Sequence, residues 1–137
     1  MTDNNMLNQT NRLKKVRDFN LLMKYGHWVN GEFLDIKYLK LAKVVNYFPK
    51  KEDAETFKKQ LRVAFSVGLK IDKRAVKRNK VKRQLSEVVR LLIKDETIGC
   101  GYYLMFKPKK EILDKTYAEI SEEVKVLLNK IGILDNG

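Results

Sequence analysis

Two apolar strand patterns separated by one long amphipathic helix constrain this chain most. In "LRVAFSVGL" (61–69), Leu61, Val63, Phe65, Val67 and Leu69 alternate with Arg62, Ala64, Ser66 and Gly68, the period of a half-buried strand. Val81, Leu85, Val88, Val89 and Leu92 then fall on one helical stripe, and Asp72 is the expected N-cap of that helix. "YYLMF" (102–106) is an unbroken apolar run before Pro108 and reads as a buried strand. Strand, long helix and strand predict a βαβ unit with two parallel strands.

The flanks add simpler elements. In "NRLKKVRDFNLLMKYG", Val16, Phe19, Leu22 and Met23 recur at helical spacing, with Gly26 as the expected C-terminal cap and His27 in a turn after it. Residues 32–45 alternate imperfectly, as a strand covered on both faces does. The charged connection 46–60 offers a short helix around Ala54 and Phe57 as one option, a mobile loop as the other. The chain closes on a helix bearing Tyr117, Ile120, Val124, Leu127, Leu128 and Ile131, with Gly132 beyond and a Thr116/Glu119 capping box at its start. With 137 residues, 44% of them apolar, one domain is expected over 11–137 behind a flexible polar N-terminus, 1–10. No secretory signal is expected in Met1–Thr10, and no run approaches the ~18 apolar residues of a membrane span. A single cysteine, Cys100, allows no internal disulfide and suits a reducing cytoplasm; no disulfide-linked partner is expected.

Charge carries the functional signal. Lys and Arg total 29 against 17 Asp and Glu, a net charge of +12 that favours an extended polyanion as partner. Seven cations crowd into "KRAVKRNKVKR" (73–83), where the central helix begins, and no acid interrupts them. Backbone N–H groups without partners already make a helix start electropositive, so cations there oppose folding by tenths of a kcal/mol each. The last helix does the reverse, with Glu119, Glu122 and Glu123 early and Lys125 and Lys130 later. A local rule broken this strongly points to function. A phosphate backbone docked across the central helix would turn the repulsion into attraction, through charge pairing and counterion release.

The segment "FSVGLKIDKRAVKRNKVKRQL" (65–85) resembles the signature of the bacterial ribonuclease P protein subunit. That signature is a strand ending Ser-Val-x-Lys-Lys, then a helix opening Ala-Val-x-Arg-Asn-Arg-x-Lys-Arg. Ala75, Val76, Arg78, Asn79, Val81, Lys82 and Arg83 fall on it. "NRLKKVRDF" (11–19), the Gly26 to Phe33 region, "GYYLMFKP" and "TYAEISEEVKVLL" resemble successive further elements of the family. Lys80 stands in place of a third arginine and Ser86 in place of a further basic residue. One extra residue falls near Asp72–Arg74, and the 46–60 connection is longer than usual. Met23 and Ile36 occupy positions that are often aromatic.

The resemblance implies an α+β fold of αβββαβα order with a left-handed βαβ crossover, against the usual right-handed preference. It also implies a ribonucleoprotein endonuclease that removes the 5′ leader of precursor transfer RNA, its RNA subunit being the catalyst and holding most of the Mg²⁺. Lys77, Arg78, Asn79, Lys80, Lys82, Arg83, Arg12, Lys14 and Lys15 would then bind the RNA subunit. Phe19, Met23, Ile36, Arg78, Asn79 and Arg83 would line a cleft for the leader, since single strands are held on apolar platforms beside cationic grooves. Phe19 suits either core or cleft, whereas Phe33, Tyr25 and Trp28 read as packing.

The remaining residues offer no catalytic or metal site of the protein's own. His27 is the only histidine, which excludes a two-histidine acid–base pair and an imidazole metal cluster. Cys100 has no histidine near it in sequence and reads as inert. The acids of 51–55 and 121–124 read as a loop and a helix surface rather than buried metal ligands. A general RNA chaperone and a stand-alone nuclease remain as alternatives, while the strand before residue 72 argues against a helix-turn-helix protein.

Overall fold

A computed structural model describes residues 7–44 and 54–134 of the chain. Helix α1 (Val16–Tyr25) leads into β1 (His27–Asn30) and β2 (Leu34–Lys40), and a short α2 (Ala54–Lys58) precedes β3 (Leu61–Phe65). Helix α3 (Ala75–Lys94), β4 (Tyr102–Pro108) and α4 (Tyr117–Ile131) complete the chain. The four strands form one sheet in the order β1-β2-β4-β3. β1 and β4 each run antiparallel to β2, while β3 and β4 lie parallel and are joined through α3, as the βαβ pattern predicts. Most of the long charged connection, 45–53, lies outside the described residues, and α2 supplies the short helix around Ala54 and Phe57.

Both faces of the sheet are covered, which explains the unbroken apolar run of β4. Leu104 and Phe106 join Leu34, Ile36 and Val63 on one face, under the α3 stripe of Val81, Leu85, Val88, Val89 and Leu92 and the α4 residues Ile120, Val124, Leu127 and Leu128. Tyr103 and Met105 face the other way and pack with Leu39, Leu22 of α1, Leu13, Leu41 and Phe57. Side chains alternate along a strand, so one short sequence feeds two cores.

Several expectations need correction. Leu7 is buried in the main core and Gln9–Asn11 makes a 3-10 turn, so residues 7–10 belong to the folded domain; residues 1–6 of the expected flexible N-terminus lie outside the described residues. His27 opens β1 rather than sitting in a turn. The β3 strand ends at Phe65, although its alternation continues: Ser66 makes a last bond to the Phe106 carbonyl at 2.8 Å, and the chain then turns at Gly68–Ile71. Gly26 is the C-cap of α1 as expected, and it takes extended rather than left-handed backbone. A side chain there would strike the Leu22 carbonyl and come within 3.1 Å of the Tyr38 carbonyl, so close approach is what requires glycine. Gly132, in contrast, takes the left-handed conformation at φ 87° after α4.

Candidate nucleic-acid interface

The basic helix start has no side-chain cap of the usual kind. Arg74 holds the N-cap position without a capping hydrogen bond, and the first turn contains no acid. Asp72, expected as the cap, lies two residues earlier. Its Oδ1 accepts from the Arg74 backbone N–H at 2.8 Å, and its carboxylate pairs with the Arg74 guanidinium at 3.0 and 2.9 Å. Those bonds to Arg74 hold the Asp72 carboxyl well below the usual carboxylate range. Arg78 completes the junction, its Nη1 donating to the carbonyls of Asp72 at 3.0 Å and Lys73 at 2.8 Å. Arg78 was expected at both the RNA subunit and the leader. Part of its donor capacity instead goes to holding the turn that enters α3.

Helical periodicity sorts the other cations onto two flanks of the buried stripe. Asn79, Lys82, Arg83 and Ser86 follow one another at i, i+3, i+4 and i+7 and line a groove of ≈ 730 Å³, together with Arg12, Lys14, Phe19, Ala64 and Phe65. Lys77, Lys80 and Gln84 lie on the other flank, around a smaller notch with Arg74, Asp114 and Lys115. The nine cationic and polar residues expected at the RNA subunit therefore divide. Five meet in the groove or on its wall, Lys77 and Lys80 face the notch, Arg78 secures the junction, and Lys15 is exposed at the N-cap of α1.

The N-terminal cations reach the groove because their segment lies along the edge of β3. Leu13 N–H donates to the Val63 carbonyl at 2.9 Å, and the Asn11 amide donates to the Leu61 carbonyl at 2.9 Å. Arg12 Nε donates back to the Leu7 carbonyl at 2.9 Å, so buried Leu7 anchors the strap. The start of α1 is fixed by Asp18, only 1% exposed and paired with Arg17 at 3.2 Å. Burial pushes the neighbouring Tyr103 hydroxyl up, with the Asp18 carboxylate adding to the shift.

The apolar cleft residues separate as well. Phe19 is half-buried on the groove wall, and Met23 is 44% exposed one turn along α1. Ile36 is fully buried under α3 and α4 and offers no surface to a leader. Strand parity is the reason: Ile36 shares its face with Leu34, whereas Lys37 and Leu39 point toward α1. Lys37 takes the expected place, its Nζ donating to the Met23 carbonyl at 3.0 Å. Trp28, expected in packing, is 43% exposed, whereas Phe33 is buried as expected.

Several acids make structural bonds, Glu123 of the 121–124 cluster among them, while 51–53 of the other cluster lie outside the described residues. Glu123 accepts from the N–H groups of Glu32 and Phe33 at 2.9 and 3.0 Å, Glu119 closes the α4 capping box, and Asp35 pairs with Lys109 at 3.6 Å. Among the described residues, no three His, Cys, Asp or Glu side chains come together as a metal site. Among the described residues, no helix is long and apolar enough to cross a membrane.

The structure is that of a mixed α+β domain whose basic groove is built from two distant segments. The family is set by comparison with known proteins: residues 7–132 match the family model of ribonuclease P, and the chain belongs to that family. It is thereby a protein component of ribonuclease P, the endoribonuclease of transfer-RNA 5′ maturation. The chain is 33% identical over 126 residues to the ribonuclease P protein component of Clostridioides difficile, covering 92% of this chain and 96% of that protein. The Cyanothece counterpart is 29% identical over 130 residues, covering 94% and 98%. In fold, the chain resembles the ribonuclease P protein of Staphylococcus aureus, with a TM-score of 0.69 at 21% identity, covering 93% of this chain and all of that one. The Thermotoga maritima protein gives a TM-score of 0.66 at 23% identity, covering 87% and 96%.

Proposed function

We propose that this protein works in the cytoplasm, holding the catalytic RNA subunit of ribonuclease P with one part of its basic surface and the 5′ leader of precursor transfer RNA with another. One observation carries the reading: cations from residues 12–14 and 79–83 meet in a single groove whose wall includes Phe19. Arg12, Lys14, Lys82 and Arg83 supply charge for phosphates, Asn79 supplies donor and acceptor groups, and Phe19 and Met23 supply apolar surface for unpaired bases. Lys77 and Lys80, on the other flank of α3, extend the contact with the RNA subunit; Lys15 extends it from α1. Arg78 acts chiefly by keeping the helix start in place.

In this reading the protein moves no proton and breaks no bond. The RNA subunit performs the hydrolysis and holds the Mg²⁺, and the protein lowers the Mg²⁺ demand by supplying fixed cations among crowded phosphates. Binding the leader favours precursor over mature transfer RNA, which lacks that extension.

The test is reconstitution with purified protein, its cognate RNA subunit and labelled precursor. The expected result is leader removal at lower Mg²⁺ with both components than with RNA alone, and no cleavage from protein alone. Metal-dependent cleavage by RNA-free protein, or protein that leaves the Mg²⁺ demand unchanged, would overturn the reading. A general RNA chaperone would bind precursor and mature transfer RNA alike.

A further inference from the structure

Trp28 is the only tryptophan of the chain, and it stands 43% exposed on β1, an edge strand of four residues. An indole carries a large apolar surface, so leaving it on an edge calls for a reason. Its neighbour Val29 packs toward the main core, which turns Trp28 to the face that α1 covers. Two ammonium groups approach the ring there: Lys37 Nζ at 5.5 Å and Lys107 Nζ at 5.8 Å from its centroid. Lys37 is not a loose surface lysine, because the Met23 carbonyl fixes its Nζ at 3.0 Å and the Met23 sulfur lies 3.9 Å away.

Register links this corner to the groove. Trp28 pairs with Lys37, Lys37 with Met105, and Met105 with Ala64, so the four side chains form one row on one face of the sheet. Ala64 lines the groove beside Phe19. The row spans three strand spacings, roughly 14 Å, with Met23 of α1 beside its Lys37 step. Met105 in the middle of the row is buried against Leu22, so a single strand leaving the groove at Phe19 would follow α1 above it, passing Met23 and Lys37 before Trp28.

We propose that Trp28, flanked by Lys37 and Lys107, is a stacking platform for an unpaired leader base lying further 5′ than the base held at Phe19. The proposal rests on the leader-groove reading above and extends it. Every base presents a π-face, so an exposed indole is a sequence-tolerant platform, and the two ammonium groups are placed to pair with the phosphates on either side. The order of the bases follows from the position of α3. Its basic start grips the RNA subunit, which holds the cleavage site, so the leader meets the groove first and the sheet edge last.

A leader-length series with the reconstituted holoenzyme tests this. Trp28 is the only tryptophan of the chain, so emission excited beyond the tyrosine absorption band reports on it alone, and it should change on binding precursors with long leaders and stay constant with mature transfer RNA. Trp28→Ala should weaken binding of long-leader precursors about 5-fold or more, with mature transfer RNA unaffected. Trp28→Phe, which keeps a ring, should retain most of the affinity. The penalty of Trp28→Ala should begin at a longer leader than that of Phe19→Ala. If Phe19→Ala keeps its leader dependence and Trp28→Ala shows none, the platform is refuted while the groove stands. If neither variant depends on leader length, both fall. Melting of each variant, compared with wild type, separates these outcomes from loss of fold.

Discussion

Helices α3 and α4 begin in opposite ways, and the contrast explains how this fold accommodates its charge. At α4, Thr116 Oγ1 accepts from the Glu119 N–H at 3.2 Å, and Glu119 Oε1 accepts from the Thr116 N–H at 3.0 Å. At α3, arginine occupies the cap position and lysines follow, with Asp72 and Arg78 clamping the preceding turn from outside. The α4 start meets the requirements of an isolated helix. The α3 start leaves its N–H groups and side chains electropositive together, which suits a helix end meant to meet phosphate. Burial of Val81, Leu85, Val88, Val89 and Leu92 supplies the stability that the α3 start gives up.

The largest effects should come from separating the two kinds of arginine within α3. Arg78→Ala removes two hydrogen bonds to carbonyls at the junction and should lower folding stability by about 1.5 kcal/mol, the low end for bonds to charged groups. Denaturant unfolding measures it. Arg83→Ala should stay within ±0.5 kcal/mol in stability, as exposed substitutions do. It should weaken RNA-subunit assembly by ~1–3 kcal/mol, and the logarithmic salt slope should flatten by roughly 0.7–0.9 per lost phosphate contact. Equal effects of the two variants on both measurements would erase the distinction.

A smaller effect belongs to α4. Thr116→Ala should cost about 1 kcal/mol in folding and nothing in RNA affinity. Bonds from Thr116 backbone and side chain hold the Glu119 carboxyl below its ordinary value of 4.5, so its contribution is complete above that pH. It is lost as pH falls through the depressed folded value. Wild type and Glu119→Ala should therefore converge in acid, whereas the Thr116→Ala gap, which comes from the non-titrating bond between Oγ1 and the Glu119 N–H, should persist; a Glu119→Ala gap that persists in acid would mean that the carboxylate is not its source.

Much of this was legible in the sequence, and the failures share a cause. The α3 stripe, the α4 capping box and the parallel pair are local patterns, read from spacing alone. Ile36 was misplaced by one residue because parity assigns a strand residue to a face only once α1 is known to lie on one of them. Arg78 looked like its neighbours in composition, and only the fold of the 72–74 turn gave its guanidinium carbonyls to hold. Leu7 was hidden in a polar stretch, since one apolar residue has no period. Periodicity did not show β1, because His-Trp-Val-Asn contains no alternation and its pairing is set by β2; only the family resemblance of the Gly26 to Phe33 region pointed to a strand there.

The central claim is that the α3 start gives up helix stability for a grip on RNA, and the two helices allow it to be tested by transplantation. Arg74 and Lys77 occupy the positions in α3 that Thr116 and Glu119 occupy in α4. The double variant Arg74→Thr, Lys77→Glu would give α3 the same capping box. The measurement is unfolding free energy and RNA-subunit affinity on the same preparation across a salt series. Cap and dipole should together raise stability by about 1 kcal/mol, offset in part by loss of the exposed Asp72–Arg74 pair. The account predicts a protein at least as stable as wild type, with weaker RNA binding and a flatter salt slope. A variant that folds no worse and binds the RNA subunit with unchanged affinity and slope would contradict it.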